Sequence, residues 1–166
     1  MKLLVFSDAH GHSEGMRFAL SRHPDAGGAL FLGDGIGDFM ALRSHYPALF
    51  FQGVLGNCDL FGRVGFREEE TVPVCGKKIL MMHGHRYGVK SGIGAAVAHA
   101  AKEGADVLLY GHTHIPAEEN VPLSDGWYLL AANPGSVGRQ YDGVCHYGIL
   151  TVTERDVLFS VGEVTV

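Results

Sequence analysis

Short apolar runs bounded by glycine and polar residues recur along this 166-residue chain. Apolar runs of this length predict buried strands. The strands predicted in this way lie at residues 2–6, 29–32, 50–55, 69–74, 78–82, 106–110, 117–122, 127–132, 145–152 and 156–161. Segments with a helical pattern or glycine boundaries at 13–22, 37–45 and 92–102 predict three helices, the first of them capped by Ser13.

The order of these elements indicates the fold class. Helices alternate with the early strands, whereas strands 127–132, 145–152 and 156–161 are separated by turn residues. This order predicts an α/β fold in which two mixed β-sheets pack face to face as a sandwich, with helices on the outer faces. The length and a hydrophobic content of 46% fit a single domain over residues 1–166.

Charge and cysteine content limit the partners. Thirteen Lys and Arg residues against 18 Asp and Glu give a formal net charge of −5, which disfavours extended nucleic-acid binding but leaves a short nucleotide substrate open. The N-terminal apolar stretch is interrupted at Ser7 and Asp8, so neither a signal segment nor a membrane span is expected. Three cysteines without a C-x-x-C pair fit free thiols, and we expect a cytoplasmic protein without a membrane partner.

Five of the apolar runs end on side chains that can bind a metal. Ligands of an open α/β sheet collect beyond the carboxyl ends of its strands, so these side chains are expected to converge. The candidate ligands are Asp8, His10, Asp34, Asn57, His83, His112 and His114. Carboxylate, amide and imidazole donors without a thiolate suit Mn, Fe, Zn, Co or Ni better than Ca or Mg.

Seven donors exceed the needs of one tetrahedral ion, so either several are not ligands or two ions share the site. We favour two ions, because a pair about 3.5–4 Å apart can stabilise both the attacking and the leaving oxygen of phosphoryl transfer. Asp34 is the candidate bridging carboxylate. The glycines predicted to let these loops turn sharply are Gly11, Gly33, Gly56, Gly84 and Gly111.

The same loops resemble those of a known family. The motifs, in the family's order, are Ser7-Asp8-Ala9-His10-Gly11, Gly33-Asp34, Gly56-Asn57-Cys58-Asp59, His83-Gly84-His85 and Gly111-His112-Thr113-His114. They are similar to those of the calcineurin-like metallophosphoesterases. The small size and the later run Asn133-Pro134-Gly135-Ser136 resemble the compact, YfcE-type phosphodiesterase branch of that family.

The resemblance implies two divalent metal ions, with Mn as the first candidate and Ni, Fe, Zn or Co as alternatives. One ion would be held by Asp8, His10, Asp34 and His114. The other would be held by Asp34, Asn57, His83 and His112. A hydroxide bridging the ions would attack a small phosphodiester, and Asp34, Asn57 and His83 are the residues assigned to catalysis.

Position 58 departs from the pattern of many larger relatives, in which a His serves as general acid. Here the residue is Cys58, and a thiol gives an alkoxide leaving group little help. Within the compact branch this variant resembles enzymes that cleave diesters, which favours a diesterase over a phosphomonoesterase or a dinucleoside polyphosphate hydrolase. An equally open interpretation is that Cys58 is only a small buried apolar residue. The next residue, Asp59, is expected to fix the loop through backbone hydrogen bonds.

A second class of function stays open at this point. One eukaryotic relative of this size, a retromer subunit, is used mainly as a scaffold, so the resemblance also allows a non-catalytic protein-binding scaffold. The complete ligand set favours the enzyme. Phe61, Val64 and Phe66 form either a lid or homo-oligomer contact, or a cover over the core. Arg86 and Arg139 are candidate cations for a second phosphate or a nucleobase-bearing group.

Overall fold

A computed structural model of the chain describes residues 1–60, 65–124, 126–138 and 143–165; Phe61, Val64 and Arg139 lie outside these described residues. The strands are β1 (Lys2–Phe6), β2 (Gly28–Phe31), β3 (Phe50–Gly53), β4 (Glu69–Val74), β5 (Lys77–Met82), β6 (Val107–Leu109), β7 (Ala117–Pro122), β8 (Tyr128–Asn133), β9 (Val144–Val152) and β10 (Val157–Thr165). The helices are α1 (Glu14–Arg22), α2 (Ile36–Arg43) and α3 (Gly94–Lys102). Among the described residues, no helix is both long and apolar enough to cross a membrane.

The strands form two five-stranded sheets. The first has the order β10-β9-β1-β2-β3, and the second has the order β4-β5-β6-β8-β7. Strands β1, β2 and β3 run parallel, as do β5, β6 and β8, whereas β9, β10, β4 and β7 pair antiparallel with their neighbours. Both sheets are therefore mixed, as the sequence predicts.

Alternation of side chains along the strands explains how the layers stack. In β1, Leu4 and Phe6 belong to the apolar cluster that includes residues of α1 and α2. Leu3 and Val5 point the other way, into the cluster shared by the two sheets. In β5, Leu80 packs into a third cluster with residues of α3. The predicted sandwich with helices on its outer faces is thus confirmed.

Parallel pairing decides where the loops lie. The carboxyl ends of β1, β2 and β3 emerge at one edge of the first sheet, and those of β5 and β6 emerge together from the second. The ring of His83, which follows β5, lies with Nδ1 2.8 Å from the carbonyl oxygen of Leu32, which follows β2. The two sets of loops therefore meet across the sandwich at one rim.

Most differences between predicted and observed elements occur at their ends. The strand predicted at 156–161 continues to Thr165, because it pairs with β9 over its whole length. The helix predicted from residue 92 begins at Gly94, after two 3-10 turns at His85–Tyr87 and Val89–Ser91. Ser13 holds the N-cap position of α1 but its side chain makes no capping hydrogen bond, so the predicted cap was wrong.

Replacing Leu30 by Ala tests the inter-sheet core. Leu30 is completely buried in the cluster between the sheets, so Leu30→Ala is expected to lower the free energy of unfolding by about 2–5 kcal/mol. Leu158→Ala in β10 is the matched control, since that side chain is 68% exposed, and about 0.5 kcal/mol or less is expected. Urea unfolding measures both, and equal losses would contradict the assigned core.

Candidate metal centre

The structure brings all seven predicted ligands together at the rim where the loops meet. Two groups of three residues each present ligand atoms that lie within 4.8 Å of one another: Asp8, His10 and His114, and Asp34, His83 and His112. Asn57 joins the second group, with its Oδ1 3.1 Å from His83 Nε2. The placement agrees with the sequence prediction, and the assignment of each residue as a ligand stays a prediction.

Asp34 lies where the two groups meet. Its Oδ2 is 3.4 Å from His83 Nε2 in one group and 3.9 Å from His10 Nε2 in the other. His10 Nε2 is also 3.8 Å from Oδ1 of Asp8. A carboxylate oxygen with an imidazole from each group nearby fits the bridging position predicted for Asp34.

Several ring nitrogens face one another at short range. His83 Nε2 lies 3.1 Å from His112 Nδ1, and His10 Nε2 lies 3.4 Å from His114 Nε2. Since the Leu32 carbonyl can only accept, His83 Nδ1 is its donor, so that in its neutral form the ring would present a lone pair on Nε2 to the cluster. Facing lone pairs need a proton or a cation between them, so this arrangement fits a metal ion.

Asp8 has one satisfied oxygen and one that lacks a hydrogen bond. Its Oδ2 accepts from the Ser7 hydroxyl at 2.6 Å and from the His112 N–H at 3.1 Å. Oδ1 is buried, accepts no hydrogen bond from the described residues and lies 3.2 Å from His114 Nε2, within ion-pair distance. An unsatisfied buried carboxylate oxygen is costly, and a divalent cation would satisfy it. The position of this atom is consistent with a metal at the first group.

The histidines keep both buried carboxylates ionised. Burial alone would raise the pKa of Asp8, but His114, His83 and the Ser7 hydroxyl bring that pKa below its usual value. Burial is likewise outweighed at Asp34, whose pKa is held well below its usual range by His83 and by the Cys58 N–H, which donates to Oδ1 at 2.7 Å. Both side chains are therefore anionic and able to bind cations at neutral pH.

Five of the predicted ligands themselves make the sharp turns of these loops. Positive φ angles occur at Asp8 (57°), His10 (47°), Asp34 (61°), His112 (69°) and His114 (63°). Among the described non-glycine residues, Cys75 is the sole other case. Left-handed backbone at such residues costs on the order of 1–3 kcal/mol each and is concentrated at functional sites. The sequence interpretation had assigned this freedom to neighbouring glycines and missed it at the ligands.

The five glycines singled out by the sequence serve two purposes. Gly11, Gly33 and Gly84 have positive φ angles, as predicted. Gly56 and Gly111 do not, and they are required for a different reason. A Cβ atom at Gly56 would lie 2.1 Å from Asp34 Oδ1, and one at Gly111 would lie 2.0 Å from Ser7 Oγ. Their missing side chains make room for the buried carboxylates and for the hydroxyl beside them.

Asp59 holds the loops after β2 and β3 together, which confirms its predicted role. Its Oδ2 accepts the N–H groups of Asp34 and Gly56, both at 2.8 Å. Its Oδ1 accepts those of Gly35 at 2.8 Å and Ile36 at 2.9 Å, at the start of α2. One buried carboxylate thus fixes the backbone of the bridging ligand and the N-terminus of a helix.

Two supporting residues come from the run Asn133-Pro134-Gly135-Ser136, which begins with the last residue of β8 and which the sequence indicated mainly as a turn. Asn133 donates from Nδ2 to the Gly111 carbonyl and to Thr113 Oγ1, both at 3.0 Å. Ser136 donates from Oγ to the Asp8 carbonyl at 2.9 Å. Both side chains are completely buried. A buried Asn directly after an apolar strand was the available signal for this supporting role.

Other singled-out residues have defined surroundings. Phe66 is half-buried against the core, which supports the covering role for that residue. Arg86 donates to Glu68 at 2.8 Å and lines a cavity of about 340 Å³ beside His85.

Cys58 is exposed, so its interpretation as a buried apolar residue was wrong. Its pKa is raised by partial burial and by Asp34.

Fold and site together match one family. The calcineurin-like phosphoesterase superfamily domain matches residues 1–155, and the chain belongs to this family of metal-dependent phosphoesterases. Among its relatives, the probable metallophosphoesterase YsnB of Bacillus subtilis (strain 168) is 34% identical over 138 residues, which cover 82% of this chain and 75% of that protein.

Solved structures share the fold. A conserved protein from Streptococcus pneumoniae TIGR4, described as a predicted phosphoesterase, has a TM-score of 0.72 and 23% identity, and covers 99% of this chain and 88% of its own. Wild-type Vps29 from Entamoeba histolytica, complexed with zinc, has a TM-score of 0.70 and 24% identity, and the match covers 99% of this chain and 98% of that chain. A novel archaeal phosphodiesterase has a TM-score of 0.66 and 22% identity, and the match covers 97% of this chain and 99% of that chain. These likenesses confirm the predicted fold.

Replacing Asp59 by Ala tests its role in holding the loops. The change would leave four backbone N–H groups without their acceptor, so Asp59→Ala is expected to lower the free energy of unfolding by at least about 3 kcal/mol. Asp38→Ala is the control: its Oδ2 accepts one bond, from the Gly11 N–H, and about 1 kcal/mol or less is expected. Chemical denaturation measures both, and a similar small loss for Asp59→Ala would contradict the assigned role.

Metal binding is expected to stabilise the protein through Asp8. Metal at one hundred times the Kd adds about 2.7 kcal/mol per site, which raises the Tm by roughly 5–10 °C for a protein of this size. Asp8→Asn should lose most of the shift that Mn²⁺ gives to chelator-treated protein. His45→Ala, which removes an exposed histidine just beyond α2, should keep it. An undiminished shift in Asp8→Asn would remove Asp8 from the ligands.

Proposed function

We propose that this chain is a phosphodiesterase that uses two divalent metal ions to hydrolyse a small phosphodiester. The observation that carries the proposal is the pair of adjacent ligand groups with Asp34 Oδ2 near a histidine of each. Two neighbouring cation sites are the arrangement that in-line phosphoryl transfer uses. The oxygen and nitrogen donors favour Mn first, with Ni, Fe, Zn or Co as alternatives.

The proposed ligand sets follow the two groups. Asp8, His10, Asp34 and His114 would hold one ion. Asp34, Asn57, His83 and His112 would hold the other. When bound, two such ions lower the pKa of a water molecule and neutralise charge on the phosphate oxygens.

The chain's own contribution is to hold these donors in fixed orientations before any substrate arrives. The His83 ring is fixed by its bond to the Leu32 carbonyl, which directs Nε2 at the cluster. Asp8 is held by the Ser7 hydroxyl and the His112 N–H, so that Oδ1 faces the first group. Donors fixed in this way need little reorganisation during the reaction.

The preference for diesters rests on the residue at position 58. Near neutral pH a thiol is a weaker general acid than an imidazolium, so a poor leaving group gains little from Cys58. The net charge of −5 supports a small substrate over an extended nucleic acid. Cys58 and Cys75 are exposed free thiols, which supports the cytoplasmic location that we also propose.

Hydrolysis of two chromogenic esters tests the proposal. Metal-stripped protein is resupplied in turn with Mn, Ni, Co, Zn or Mg and assayed on bis-p-nitrophenyl phosphate and on p-nitrophenyl phosphate. We expect metal-dependent cleavage of the diester with little turnover of the monoester. Comparable monoester turnover would indicate a phosphomonoesterase. No turnover of either ester with any metal would favour the protein-binding scaffold.

Variants connect that activity to the site. His83→Ala and Asn57→Ala should each lower kcat on the diester by at least about 100-fold, since each removes a proposed ligand. Circular dichroism should show that both variants remain folded, and His45→Ala should keep full activity. Turnover retained by either variant at saturating metal would rule out the two-metal scheme.

A further inference from the structure

We propose that Cys58 is an additional ligand in this metal site, binding as a thiolate when the ion is thiophilic. The inference rests on the proposed function, because it concerns the same site. His10, Asp34 and Cys58 form a third group whose ligand atoms all lie within 4.8 Å of one another. The first two residues are already proposed ligands, so the sulfur atom lies within reach of the same ion.

The backbone of the loop fixes this position. The Cys58 N–H donates to Asp34 Oδ1 at 2.7 Å, and the next residue, Asp59, binds four backbone N–H groups around it. The Cys58 side chain is nevertheless exposed. The thiol is thus held beside the bridging carboxylate on the open side of the site, where substrate would enter.

Asn57 links the thiol to the second ion. Its Nδ2 donates to Cys58 Sγ at 3.2 Å, while its Oδ1 faces His83 Nε2 at 3.1 Å. The bond to sulfur turns the amide so that its oxygen faces the cluster. Cys58 would therefore contribute a ligand to one ion and orient a ligand of the other.

The chemistry of sulfur makes this ligand selective. Thiolates prefer Zn²⁺, Co²⁺ and Cd²⁺, whereas Mn²⁺ prefers oxygen and nitrogen. On binding, the S–H bond breaks, a sulfur–metal bond forms and the proton passes to solvent. Cys58 would then occupy the open position that the substrate phosphate needs. Protein loaded with a thiophilic metal is accordingly expected to be slower on the diester than protein loaded with Mn²⁺.

Cobalt absorption tests the inference without an activity assay. Metal-stripped protein is titrated with Co²⁺, and a sulfur-to-cobalt charge-transfer band is followed in the near ultraviolet. Wild type and Cys75→Ser should show the band, and Cys58→Ser should lack it. Cys75 is a matched control because its exposed thiol lies in the turn before β5. The length of β5, about 20 Å, separates that turn from His83.

Metal affinities provide the second readout. Cys58→Ser should lower the affinity for Cd²⁺ by at least about tenfold while leaving that for Mn²⁺ unchanged, which also shows that the variant is folded. Cobalt bound with its visible d–d bands but no charge-transfer band in wild type would overturn the inference and leave the proposed function standing. Failure of wild type to bind Co²⁺ or Mn²⁺ at all would overturn both.

Discussion

Two carboxylates, Asp8 and Asp34, lie buried side by side at one rim of the sandwich, and their negative charge is the constraint to which the surrounding structure responds. Burying a charge is costly unless hydrogen bonds and opposite charges compensate. Backbone N–H and imidazole groups approach both side chains, and the Ser7 hydroxyl also binds Asp8. Residues 56 and 111 carry no side chain because one would collide there. The burial of these two acids thus accounts for the glycines at 56 and 111 and for the approach of the histidines.

The sequence was sufficient to predict the sheets and which side chains would meet at the rim, because both depend on local patterns in the chain. Buried strands appear as apolar runs, and each ligand follows the end of one. The features that the sequence did not predict depend on contacts between residues far apart in the chain. β10 extends to Thr165 through pairing with β9, and the roles of Asn133 and Ser136 arise only when β8 lies beside β6. The Ser13 side chain, by contrast, simply does not make the bond that its position allows.

The fold alone leaves the activity undefined, since it is shared by Vps29 and by an archaeal phosphodiesterase at similar TM-scores. The chemistry at the rim is what supports an activity here. All seven predicted ligands lie there, one buried carboxylate oxygen accepts no hydrogen bond from the described residues, and Cys58 presents an exposed thiol. On the proposed function, substrate and metal choice would depend on a few side chains beyond the strand ends, while the sheets supply their positions.

The left-handed backbone at five of the ligands has a consequence for how such a site persists. At each of these positions a glycine would adopt the same conformation without steric cost, so losing a ligand could make the folded protein more stable. Stability and activity then oppose each other at the same residues. Random drift toward a more stable chain would erode the proposed centre, so keeping all seven predicted ligands would require selection that outweighs the gain in stability.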